Sequence, residues 1–197
     1  MKEHRISKRR FDLLKPSWSK PPRLYGLPKV HKTDLPLRPI VSSIGSPTYK
    51  LSKFVASIIG PLVGQSDYHV KNTKEFVNYI RQQQIEEDEI MVSFDVKSLF
   101  TNVPVDEALC NIIGRKLEED EYFEDRVSEG LTRTDVMKLL ELCLRSTNVV
   151  FQGEFYQQTD LAAMGSPVLP IITDLYMEFF EQLAISTAPT RSEMIYY

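Results

Sequence analysis

Proline placement divides this chain more firmly than any other feature. A proline ring fixes φ at about −65° and removes a backbone donor, so it breaks a helix from within and is tolerated in its first turn. Pro28 and Pro39 therefore disfavour helix between 24 and 43 and predict two short edge or irregular strands around a turn at Thr33-Asp34-Leu35-Pro36. Pro47 suits a helix start, and behind it Leu51, Val55, Ile58, Ile59, Leu62 and Val63 recur at helical spacing. Ser166-Pro167 reads as N-cap and first helical residue, with Pro170 still in the first turn. The stripe Ile171, Ile172, Leu175, Tyr176, Phe179, Phe180 and Leu183 follows.

Between these punctuated ends the periodicity alternates. Residues 73–84 predict a helix with Phe76, Val77 and Ile80 inward. Ile-Met-Val-Ser-Phe-Asp-Val, 90–96, alternates as a strand should, with Val92, Phe94 and Val96 on one side and Met91, Ser93 and Asp95 on the other. Residues 105–118 (Leu109, Ile112, Ile113, Leu117) and 133–146 predict helices, the second opened by Thr132 and Asp135 in a capping-box arrangement. Residues 148–158 predict a hairpin turning near Gly153-Glu154. Residues 1–23 are basic and proline-containing and read as an irregular lead-in. The resulting class is α+β, helices packed on a small antiparallel sheet, rather than a doubly wound βαβ pattern.

No apolar run reaches the roughly 18–20 residues of a membrane helix, and the N-terminus has no apolar signal core, so neither a membrane nor secretion is expected. Cys110 and Cys143 lie in helix-like patterns, which fits a reducing compartment. The expected location is intracellular, with the nucleus as candidate; Lys8-Arg9-Arg10 is too short to establish import. Charge is divided. Residues 1–53 hold 13 of the 24 Lys/Arg and three of the 27 Asp/Glu. A basic arm on an acidic body suits a polyanion partner, though a solvated basic tail gives the same count.

Three stretches could carry chemistry. Asp95, the one acidic residue in an apolar strand, could hold a hard divalent cation together with a neighbouring carbonyl. Ala-Ala-Met-Gly-Ser-Pro, 162–167, places small residues before a helix start, where a ligand can approach the backbone. Lys29, Lys32 and Arg38 could grip phosphates. Each has a plainer reading taken singly: a turn-forming Asp, a capped helix start, the solvated face of a hairpin. His31 is too isolated to be proposed as a metal ligand.

The combination is more specific. Gly-Leu-Pro-Lys-Val-His-Lys, Leu-Arg-Pro-Ile-Val-Ser, Ser-Phe-Asp-Val-Lys-Ser-Leu-Phe-Thr-Asn-Val-Pro and Ala-Met-Gly-Ser-Pro-Val-Leu-Pro, in that order, resemble reverse transcriptases, closest to those of Penelope-like retroelements. The resemblance covers residues 24–183. It implies right-hand polymerase fingers plus a partial palm: a lead-in at 1–23, a fingers-like region at 24–89, a partial palm with motifs A and B at 90–185, and a tail at 186–197. It implies Asp95 as catalytic metal ligand with the Val96 carbonyl, and Phe100 as the steric gate favouring deoxynucleotides. Gly165, Ser166 and Pro167 would be motif B beside the incoming nucleotide. Arg38 would contact the triphosphate, assisted by Lys29 or Lys32. The implied cofactor is Mg²⁺, and the implied partners are an RNA template, a DNA primer and dNTPs.

Departures accompany the match. No paired Asp follows the motif B stretch, so the family's second catalytic carboxylate is missing from this sequence; its remaining palm strands and thumb are missing too, as is the Gly often found just before Met-Gly-Ser-Pro. Asp174 and Glu178 match no known ligand position. The expectation is a reverse-transcriptase fragment, inactive alone, with Val92, Phe94 and part of the last helix exposed. The alternative is a non-catalytic nucleic-acid-binding module derived from a retroelement.

Overall fold

The computed structural model describes residues 6–66, 69–84, 86–87, 90–96, 99, 103–104, 106, 112–127, 130–158 and 165–187. Its elements run α1 (Lys8–Leu14), β1 (Arg23–Pro28), β2 (Leu37–Ser42), α2 (Tyr49–Ile59) with a 3₁₀ turn at Gly60–Leu62, α3 (Thr73–Ile80), α4 (Gly114–Glu119), α5 (Phe123–Arg126), α6 (Arg133–Arg145), β3 (Asn148–Phe151), β4 (Glu154–Gln157) and α7 (Leu169–Thr187).

The class is mixed α and β, and the core lies among helices. Val55, Ile58, Ile59 and Leu62 behind Pro47 pack with Ile113 and Leu117 of the α4 region, Phe123 of α5, Val136, Leu140 and Leu144 of α6, and Ile172 and Leu175 of α7. Between α2 and α6, Cys143 is buried; burial pushes its thiol up, against a hydrogen bond with Ser52. Thr132 and Asp135 close the expected capping box at the start of α6. Arg133 then fastens the preceding turn. Its Nε donates to the Leu117 carbonyl at 2.7 Å, and its guanidinium lies over the Phe123 ring at 4.4 Å.

The sheet differs from expectation in two ways. It is mixed, with strand order β2-β1-β3-β4. Each local hairpin is antiparallel, as expected from short connections, but β1 and β3 meet in parallel at Arg23 and Val150. Nor do the helices cover it: β4 is exposed throughout, and of the strands only Val41 and Val149 reach the buried set. The β3–β4 turn lies where expected, with Gln152 and Gly153 both at positive φ, the pairing a tight hairpin turn uses.

Four local expectations are corrected. Residues 90–96 form no strand: Val92, Phe94 and Val96 are all exposed, and among the described residues no strand pairs with them. Alternation supplies a face, but a ladder needs a partner. Within the supposed lead-in, α1 is a helix because Ser7 caps it, accepting from Arg10 N. The helix expected over 73–84 stops at Ile80, with none of its residues fully buried. The last helix starts at Leu169 rather than Pro167. Ser166 accepts from Leu169 N through its carbonyl, and its hydroxyl caps nothing. Cys110 and Leu109 lie outside the described residues.

Candidate nucleic-acid interface

The β1–β2 hairpin carries the first set of cations. Register pairs Leu27 with Arg38 and Tyr25 with Ile40, so Arg38 shares a face with an aromatic and two aliphatic side chains. Tyr25 and Leu27 on that face are exposed. The connection is held by its own backbone: Lys29 N donates to Pro36 O at 2.9 Å and Lys32 N to Lys29 O at 3.0 Å. Lys32 and Arg38 are exposed and Lys29 half-buried, and among the described residues none of the three forms an ion pair. Such cations beside one exposed aromatic and aliphatic side chains suit a phosphate backbone and a stacked base. Lys8 and Arg9 of α1, with Lys50 and Lys53 of α2, extend the exposed positive charge.

At the far end of β2 the structure joins two of the motif stretches. β2 is an edge strand among the described residues, and the turn at Gly165 meets it at Val41 and Ser43. Ser43 Oγ donates to the Gly165 carbonyl at 2.5 Å. Gly165 has φ +88°, and a Cβ there would overlap the Val41 carbonyl oxygen, so only glycine fits on both counts. Ser166, Val168 and Leu169 are buried behind it. Arg38 lies three residues back along the strand from Val41, roughly 10 Å away.

Asp95 and Val96 stand apart from this arrangement. Both are exposed on the irregular 90–96 segment, and Asp95 makes no hydrogen bond or ion pair among the described residues. Phe100 lies outside them. No group of three His, Cys, Asp or Glu among the described residues could hold a metal ion. One exposed carboxylate and a main-chain carbonyl do not fit a pair of Mg²⁺ ions, which need more anionic donors.

Elsewhere a carboxylate that the sequence reading matched to no ligand position turns out to be buried. Glu178 of α7 is 7% exposed and accepts from Gly64 N at 2.5 Å and from Lys116 Nζ at 3.0 Å. It ties α4 and the turn after α2 to the last helix. A cleft of about 470 Å³ opens beside it, lined in part by Gln65, Arg115, Lys116, Phe179 and Gln182. Its neighbours Asp174 and Glu181 are held above the usual carboxylate range by burial and then by the Glu178 charge, with His69 opposing. The available signal was a lone Glu between Leu175 and Phe179, inside an apolar stripe.

Comparison of the chain with protein-family models and with curated proteins finds no match to either.

Proposed function

We propose that this chain is a fingers and partial-palm piece of a reverse transcriptase of the Penelope-like kind, which binds nucleic acid through its basic hairpin and does not catalyse alone. The parent reaction is RNA-templated DNA synthesis from dNTPs. Two Mg²⁺ ions would there activate a primer 3′-OH and stabilise the leaving pyrophosphate. No step of that chemistry is assigned to this chain, because among the described residues no metal-ligand group gathers around Asp95. The observation that carries the reading is the seating of Gly165 on Val41 and Ser43, which joins two motif stretches 122 residues apart. The exposed charge of Lys32 and Arg38 on the same hairpin, without an ion pair among the described residues, favours backbone binding over chemistry.

Binding of a labelled RNA–DNA primer-template across a salt series tests it. Affinity should fall linearly on a log–log plot, and Arg38→Ala and Lys32→Ala should each lower the slope by about 1. Asp95→Ala should leave binding unchanged. Salt-insensitive or absent binding defeats the reading. Asp95-dependent primer extension by this chain would instead make it an enzyme in its own right.

A further inference from the structure

The two edges of the sheet are finished differently. In an antiparallel pair, successive residues turn their N–H and C=O alternately toward and away from the partner strand. Lys29 N donates to Pro36 O, so with the observed register Leu37, Pro39 and Val41 are the residues of β2 that face out. Pro39 has no N–H to offer there, and the Gly165 turn meets the Val41 carbonyl. Arg38 adds an exposed charge to the same strand. Among the described residues that edge is blunted against further pairing.

β4, at the opposite edge, has none of these devices. Gln158 N donates to Thr147 O at 3.2 Å, and Val150 N donates across to Pro22 O at 2.7 Å. With the register of β3 and β4, Phe155 and Gln157 therefore direct their N–H and C=O away from β3. Among the described residues no strand lies on that side. The strand reads Glu-Phe-Tyr-Gln, without Lys, Arg or Pro. Its one charge, Glu154, accepts from the Tyr156 hydroxyl at 3.1 Å. Phe155 is 76% exposed.

We propose that β4 pairs antiparallel with β4 of a second copy about a twofold axis, with Phe155 opposite the partner's Gln157. In that register each outward N–H of one copy meets an outward carbonyl of the other. Tyr156 faces the partner's Tyr156 at a non-hydrogen-bonded position, where cross-strand side chains lie closest. Glu154 falls opposite the partner's Gln158, so no like charges meet. A second copy is the occupant that leaves no open edge behind. The joined sheet ends on both sides in β2, so assembly closes at two and does not grow into a fibre. The paired strand has only four residues, so the dimer is a weak one. Pairing of this kind is independent of nucleic-acid binding.

Sedimentation equilibrium of the full chain between about 10 μM and about 1 mM tests the edge. A reversible monomer–dimer step is expected, and Phe94→Ser should retain it while losing any larger species. Tyr156→Lys and Tyr156→Glu should each weaken the dimer by about tenfold, because like charges then face one another. Mixed in equal amounts, the two variants should regain it. Only a residue that faces its own copy is rescued in this way, and a variant that fails to fold is not rescued at all. Tyr156→Cys decides the matter where either charged variant unfolds: on oxidation it should form a dimeric cross-link absent from the parent chain, since Cα atoms about 4.5 Å apart admit a disulfide. A chain that stays monomeric to about 1 mM overturns the proposal and leaves the edge to a strand of another protein. A dimer that neither charge change weakens overturns it too, as does a dimer that both weaken and mixing does not restore, or a Tyr156→Cys chain that does not cross-link.

Discussion

The segments around Gly165 and Asp95 carry equally distinctive sequence, yet the chain treats them in opposite ways. Gly165 is locked: a positive φ, a hydrogen bond from Ser43, no room for a side chain, and buried Val168 and Leu169 behind it. Residues 90–96 are richer in β-branched and aromatic side chains, yet Phe94 is 88% exposed and the segment joins no sheet among the described residues. The difference teaches that a motif's residue types and its structural support are separate properties. Gly165 brings its own support, because an edge strand close by needs covering. A strand such as 90–96 depends on neighbours to accept its backbone bonds.

The contrast breaks most sharply at Gly165. Gly165→Ala should cost about 3 kcal/mol or more in urea unfolding, since it adds backbone strain to overlap with the Val41 carbonyl. An unchanged midpoint would mean the turn is not seated. Ser43→Ala should cost about 1 kcal/mol, the ordinary worth of one hydrogen bond, and speed amide exchange at residues 165–168.

A smaller effect sharpens the anchored side, along the helix that leaves it. Asp174 and Glu181 are held above their ordinary range in the folded chain, so the native state binds more protons than the unfolded one between the two pKa values. Stability contributed by these groups therefore falls as pH rises through that window and is greatest on its acid side. Asp174→Asn should raise stability at pH 7 by about 0.3 kcal/mol, a figure kept small because the group is largely solvated, and the gain should be gone by about pH 3, well below the unfolded carboxylate's range. Thermal unfolding at both pH values reads the sign directly; a loss at pH 7 would contradict it.

Legibility in the sequence followed the same line between self-supporting and dependent features. Thr132 with Asp135, the glycine of the 152–153 turn, and the stripe behind Pro47 encode local structure within a few residues, and each lies where the pattern predicts. The hairpin of Lys29 and Arg38 was legible for the same reason. What escaped depends on distant neighbours. The parallel join of β1 to β3 rests on a single register pair, Arg23 with Val150, that no period announces. Glu178 is buried because Gly64 and Lys116 meet it across more than 60 residues. The α1 cap was local and readable at Ser7, but dense basic charge masked it.

On the dependent side little or no effect on stability is expected, and that smallness is the test. Phe94→Ser and Asp95→Asn change exposed side chains, so each should move the unfolding free energy by no more than about 0.5 kcal/mol. Phe94→Ser should nonetheless change the solution behaviour. Ile90, Met91, Val92 and Phe94 are all exposed, and Phe180 and Leu183 of α7 are also half exposed. Such surface drives self-association, so the variant should sediment closer to monomer at high concentration than the parent chain. A cost above about 2 kcal/mol would instead show that Phe94 is packed in solution, since only a buried aromatic is worth so much. The segment would then have found a partner, and Asp95 would stand on a supported strand like Gly165 on its turn.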